Sequence, residues 1–265
     1  MDKITYICLI TGNPGFNWCY ENFLKYLELP YIILEHPGHN KNTLNTLNTL
    51  NTLNTLNTLN NNSYLEFCID YHYDKICTIL EKKNNIILMG HSVGAWLIIH
   101  IYNRLKKYNY KKTKNIKQIH LLTPTICDLD KNNDKEIFLK LVKIIVQIVI
   151  LFPKNIIKII LSLLFDKFTA NNMIDRIDNN ILNNITNLYI EEKKYIKNIP
   201  INILDINKYF IHISKNDLYT PLTTRNKIMH KFKNYKEYDI KHDFIQYKKE
   251  YIKIAQNINK MVKYK

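Results

Sequence analysis

Glycine is nearly missing from this chain, with 5 in 265 residues. In so poor a background each glycine marks backbone that other residues adopt badly. Cysteine is sparse too: Cys8, Cys19, Cys68, Cys77 and Cys127 are odd in number and irregularly spaced. With no Cys-x-x-Cys pair, zinc and dithiol redox chemistry are not expected, and a reducing cytosolic setting is. No signal peptide is expected, because Met1-Asp2-Lys3 runs straight into a strand pattern. Dense basic blocks are absent as well. The net charge of +15 is spread over the whole chain, which argues against nucleic acid as a partner and leaves weak attraction to anionic lipid. Lys, Asn, Ile and Tyr abound in the manner of an AT-rich coding sequence, with Lys filling solvated surface.

What is present is an alternation. Apolar runs at Tyr6–Ile10, Tyr31–Leu34, Ile86–Met89, Ile119–Leu122 and Tyr209–Ile213 predict buried strands, with a weaker sixth from Tyr235 to Ile240. Helical patterns lie at about 16–28, 64–83, 94–108, 221–232 and 244–262. Strands alternating with helices predict an α/β fold, an open and mostly parallel sheet of about six strands with helices on both faces. Two segments interrupt the pattern. Residues 42–62 hold Asn-Thr-Leu triplets and an Asn run; a three-residue period buries no helix or strand face, so a weakly ordered surface loop is expected. Residues 134–198 are helical and apolar, and predict an insertion between residues 1–133 and 199–265 of one core. Its centre, 137–165, is interrupted by Lys140, Lys143, Lys154 and Lys158, and its longest charge-free run, Ile144 to Pro153, is about half of the roughly 20 residues a span needs. Spanning is therefore not expected. A turn is expected at Pro153-Lys154-Asn155, between two helices. Two readings stay open, a hairpin lying in a membrane interface and a cap packed over the site.

The glycines place the chemistry. Gly12, Gly15, Gly38, Gly90 and Gly94 are all expected in loops just after predicted strands, at the carboxyl edge where open parallel sheets bind ligands. Gly90-His91-Ser92-Val93-Gly94 is a Gly-x-Ser-x-Gly pattern with a strand before and a helix after. That is the context of a nucleophile elbow, in which Ser92 is exposed on a strained turn and the helix N-terminus points its N–H groups at the reaction centre. Two backbone donors must stabilise the oxyanion. Val93 is the first candidate. Asn13 of Gly12-Asn13-Pro14-Gly15 is the second, since Pro14 has no N–H. A serine nucleophile also needs a base and an orienting carboxylate, here in the chain order serine, acid, histidine. His242 follows the last strand and is the expected base. Asp217 lies just beyond the strand ending at Ile213 and is the expected acid, with Asp128 in reserve. His36 and His39 are joined by no carboxylate cluster, so no metal is expected.

These residues resemble a family. Thr11-Gly12-Asn13-Pro14-Gly15 with Tyr20, Glu21 and Phe23, then Glu35-His36-Pro37-Gly38-His39, are similar to motifs of the lipid droplet-associated hydrolases. So are the Ser92 pentapeptide, Leu122-Thr123-Pro124-Thr125, Asn216-Asp217 and His242-Asp243-Phe244, in the same order over nearly the whole chain. The resemblance implies an α/β-hydrolase fold, a Ser92–Asp217–His242 triad and hydrolysis of neutral-lipid esters, and no cofactor is expected. It also implies a hydrophobic segment, here 137–165, that directs the protein to the cytoplasmic face of lipid droplets and the endoplasmic reticulum, the cytosol being the other location. Two departures matter. The Asn-Thr-Leu loop follows His36-Pro37-Gly38-His39 directly, near the mouth of the site, where crowding the entrance and hanging in solvent both stay open. The usual fold has two strands before the one carrying Gly-Asn-Pro-Gly, whereas this chain starts on that strand. The strand at 31–34 is then an exposed edge. Two other functions remain open, a droplet-surface protein with little turnover and a soluble esterase for small acyl substrates.

Overall fold

A computed structural model describes residues 4–40, 43, 63–82, 85–131, 152–164, 167–174 and 178–263. Six strands form one sheet: β1 (Thr5–Ile10), β2 (Tyr31–Leu34), β3 (Asn85–His91), β4 (Ile116–Leu122), β5 (Tyr209–Ser214) and β6 (Tyr235–Tyr238). Their order is β2-β1-β3-β4-β5-β6, and every pairing is parallel. The expected strand count holds, and β2 is indeed an edge.

Strand alternation splits the core in two. Cys8, Ile10, Ile86 and Leu88 point into one apolar cluster with helices α2 (Tyr64–Glu81) and α3 (Val93–Tyr108). Ile7, Leu9, Ile87 and Met89 point into the other, with α1 (Trp18–Leu24) and the C-terminal helix. Successive side chains of a strand face opposite sides, so continuous apolar runs are what a sheet covered on both faces requires. Each fully buried Leu or Ile contributes about 1.5–3 kcal/mol.

After α3 come a short α4 (Tyr110–Thr113) and β4. The described residues between β4 and β5 then contribute α5 (Lys154–Leu164), α6 (Lys167–Ile174) and α7 (Asn179–Tyr195). The remaining helices are α8 (Leu222–Lys231) and α9 (Lys248–Lys263). The Asn-Thr-Leu loop, apart from Thr43, lies outside the described residues, and so do Phe165 and the part of 137–165 before Phe152.

Several expected boundaries shift. Lys154 and Asn155 are not a turn but the first residues of α5, which Pro153 immediately precedes; proline is at home at the start of a helix, where N–H groups lack partners anyway. The expected helix at 244–262 is a 3-10 turn at Phe244–Gln246 followed by α9, with Tyr247 extended between them. The helix expected at 16–28 contracts to α1, and the sixth strand ends at Tyr238. Gly90 and Gly94 are not in a loop. Gly90 is in β3 and Gly94 in the first turn of α3, so tight a junction that Ser92 alone stands between strand and helix.

Candidate active site

Ser92 follows β3 and stands at the N-cap of α3 with φ 54° and ψ −122°, a conformation sparsely populated by non-glycine residues. Close packing around the turn explains its glycines. A Cβ at Gly94 would stand 2.4 Å from the Ile10 carbonyl oxygen. One at Gly12 would be 3.0 Å from Ser92 Cβ, so the loop after β1 passes directly over the serine. The Ser92 N–H donates to the Leu122 carbonyl at 3.1 Å, and its own carbonyl accepts from Ala95 and Thr125.

His242, between β6 and the 3-10 turn, places Nε2 2.9 Å from Ser92 Oγ. Its Nδ1 stands 2.7 Å from Asp217 Oδ2. Asp217 sits beyond β5, buried, its other oxygen accepting the Tyr219 N–H at 2.7 Å. Burial alone would raise the Asp217 carboxyl. The hydrogen bond and charge of His242, with donors from Tyr219 and Thr220, outweigh that and hold it below the usual carboxylate range. The carboxylate is thus ionised at neutral pH and faces the imidazole. Ser92, His242 and Asp217, distant in sequence, are brought together within hydrogen-bond distance of one another.

The reserve acid goes elsewhere. Asp128 is buried with Lys227 Nζ 2.7 Å from Oδ2 and accepts from Thr224. Asp205 binds Lys106 and Tyr102, and Asp239 accepts from Asn216.

Of the two candidate backbone donors, Asn13 follows Gly12 in the loop over Ser92 and Val93 follows Ser92 itself. Val93 is the first residue of α3. In the loop after β1, the Thr11 N–H goes to the Leu34 carbonyl and the Gly12 N–H to Tyr20 Oη. Pro14 has none, which leaves Asn13. Gly15 has φ 77°, and its packing against Thr11 and Gly12 closes the loop.

The site also holds groups that the sequence reading passed over. The Asn13 side chain donates to the Ile185 carbonyl at 3.0 Å and to Glu192 Oε1 at 3.1 Å, both on α7. Burial pushes the Glu192 carboxyl up to about 8, against the pull of the Asn13 bond. Helix α7 is further tied by Asn184 to the Gly38 carbonyl and by Glu191, whose oxygens accept the Tyr64 and Leu65 N–H groups. An anion there satisfies open donors at the N-terminus of α2. The Tyr219 ring lies 4.4 Å from that of His242. Polar side chains at unrelated sequence positions leave no periodic signal by which these contacts could be read.

His36 and His39 line the same loops. His36 Nδ1 lies 3.2 Å from His72 Nε2, and His39 Nδ1 donates to the Pro14 carbonyl at 2.6 Å. Among the described residues no group of three or more His, Cys, Asp or Glu side chains could hold a metal.

An open parallel sheet with a strained serine at the β3–α3 junction is the architecture of the α/β-hydrolases, and this chain has that fold. Residues 3–247 match the family of lipid-droplet associated hydrolases, and the chain belongs to it; it is a hydrolase of the α/β-hydrolase type. Solved structures share the architecture. The Vlm2 thioesterase domain bound with a dodecadepsipeptide is 11% identical with a TM-score of 0.60, over 97% of this chain and 93% of that one. The RedJ thioesterase of the prodiginine pathway in Streptomyces coelicolor is 8% identical at 0.57, over 97% and 85%. The serine hydrolase CCSP0084 of Cycloclasticus zankles is 14% identical at 0.53, over 98% and 92%. At these identities the likeness is one of fold. Among the described residues no helix is long and apolar enough to cross a membrane.

Proposed function

We propose that this protein is a serine hydrolase that cleaves carboxylic esters of neutral lipids at the surface of lipid droplets or the endoplasmic reticulum. One observation carries the reading: the unbroken chain Ser92 Oγ, His242, Asp217, with links of 2.9 and 2.7 Å. His242 Nε2 takes the Ser92 proton as Oγ attacks the ester carbonyl, and Asp217 fixes the imidazole tautomer and stabilises its charged form. The N–H groups of Asn13 and Val93 hold the oxyanion, a contribution of about 3–4 kcal/mol per donor. His242 then protonates the departing alcohol. Water, deprotonated by the same imidazole, attacks the acyl-enzyme, and collapse returns the proton to Ser92 and releases the carboxylic acid. This route uses side chains and backbone alone.

The lipid part of the proposal is supported by family membership and by α5. Ile156, Ile159 and Leu163 follow one another at helical spacing on α5 and are exposed, Leu163 at 81% and Ile159 at 62%, with exposed Phe152 just ahead of the helix. An apolar stripe on a surface helix with a nearby exposed lysine, Lys158, suits the boundary of a phospholipid monolayer. The two readings of the insertion between residues 134 and 198 then fall to different parts of it, with α7 as the cap and α5 as the lipid-facing element, set into a core of residues 1–133 and 199–265. Purified protein assayed against short-chain esters, triacylglycerol and sterol esters tests the proposal, with Ser92→Ala as control. Turnover of long-chain lipid esters that Ser92→Ala loses is expected; equal release by both proteins would refute it.

A further inference from the structure

A second hydrogen-bonded chain runs beneath the triad. The Gly12 N–H donates to Tyr20 Oη at 2.8 Å, and Tyr20 Oη lies 2.7 Å from His91 Nδ1. His91 Nε2 lies 3.0 Å from the carbonyl oxygen of His242. Its direction follows from chemistry. A carbonyl only accepts, so the proton of the imidazole is on Nε2 and Nδ1 is the acceptor. Tyr20 must then donate to Nδ1, which leaves its oxygen free to accept from Gly12. Burial, with the neighbouring charge of His242, pulls His91 down to about 3, so the ring stays neutral. Burial keeps the Tyr20 hydroxyl protonated. Each donor thus has one acceptor and no link can reverse.

We propose that Tyr20 and His91 are positioning residues, holding the loop of the oxyanion donor and the backbone of the base in fixed relation to Ser92. The inference rests on the function proposed above. The loop after β1, the end of the neighbouring strand β3 and the loop after β6, at the far edge of the sheet, are joined by two side chains. Tyr20 also consumes the Gly12 N–H, so that Asn13 becomes the loop's donor to the oxyanion. At the far end the His242 carbonyl accepts a second bond, from Thr123 Oγ1 at 3.1 Å. Two donors on one carbonyl fix the peptide from which the catalytic imidazole projects. Apolar packing is separable from these links. The His91 ring meets Phe244 edge-on, and Phe23 meets Phe244 likewise; a phenylalanine at position 20 would keep the ring of the tyrosine and lose only its hydroxyl.

The test measures kcat, KM and the rate of fluorophosphonate labelling for wild type, Tyr20→Phe, His91→Gln, His91→Leu and Tyr20→Phe/His91→Leu. Thermal unfolding of each variant establishes that it is folded. Tyr20→Phe and His91→Leu should each lower kcat and the labelling rate roughly tenfold to a hundredfold with KM unchanged. Glutamine can place an N–H near the position of Nε2, so His91→Gln should recover part of what His91→Leu loses. The double variant should be little worse than either single one, because both cut the same chain. Full activity in folded Tyr20→Phe, losses that multiply, or no rescue by glutamine would overturn the relay while leaving the Ser92 reading intact. Failure of wild type to label at all would overturn both.

Discussion

Asn13 and Glu192 stand 179 positions apart and share a hydrogen bond of 3.1 Å between Nδ2 and Oε1. The bond joins the loop over Ser92 to helix α7 of the insertion, and the acid is one that burial holds protonated at neutral pH. Glutamine at 192 can accept the same bond, whereas leucine cannot. Glu192→Gln should keep esterase activity, and Glu192→Leu should lower kcat roughly tenfold through a loosened Asn13 loop. Equal rates for the two variants would count against the tie.

The same group gives stability a pH dependence with a definite sign. Its folded pKa of about 8 is above the ordinary value of 4.5, so between these the folded state holds more protons than the unfolded. Stability from Glu192 is complete below the lower value and is lost as pH rises toward and through the upper one, by at most about 1.4 kcal/mol per unit. Urea unfolding at pH 6 and pH 8 should show wild type declining relative to Glu192→Gln. Parallel behaviour would contradict this.

Buried histidines act from the acid side. Burial lowers His36, His72, His91, His100 and His212 below 6.5, with neighbouring imidazole charges adding to the effect at all but His100. Here the unfolded chain binds more protons between about pH 6.5 and the lowered folded values, so stability falls as pH drops through that window. The urea midpoint should be lower at pH 5 than at pH 7. An unchanged midpoint would mean that these rings are protonated in the fold.

The two buried aspartates separate chemistry from architecture. Asp217→Asn leaves the His242 imidazole without its carboxylate and should reduce kcat by roughly 10⁴-fold, with little change in unfolding temperature. Asp128→Asn removes the partner of Lys227 and should lower the unfolding temperature while leaving kcat nearly unchanged. The reverse pattern would reassign the acid.

The stripe on α5 yields a prediction about interfaces. Ile159→Asp with Leu163→Asp should weaken flotation with a triacylglycerol emulsion coated in phospholipid and leave hydrolysis of a small water-soluble ester as it was. Equal flotation of variant and wild type would show that this face does not meet lipid.

How far these features could be read in the sequence depended on how local their signals are. Runs such as Ile86–Met89 announced buried strands because a sheet covered on both faces needs continuous apolar residues. Ser92 was legible from glycines that a tight junction requires, and Asp217 and His242 from their places after β5 and β6. Asp128, which also follows a strand, differs from Asp217 only in a partner distant in sequence, Lys227. Tyr20 was visible as part of a motif and His91 as part of the elbow, yet their bond joins positions 71 apart. Nothing periodic encodes such a pairing. The partner of Asn13 was hidden for the same reason, and helix α5 began one residue after a proline that had read as a turn.

The central claim is that Ser92 is an activated nucleophile. The most direct measurement is exposure of the native protein to a fluorophosphonate at neutral pH, followed by intact-mass and peptide mass spectrometry. One covalent adduct on the peptide containing Ser92, absent in Ser92→Ala and much slower to form in His242→Ala, is the predicted result. An unmodified wild-type protein, or an adduct that persists in Ser92→Ala, would contradict it.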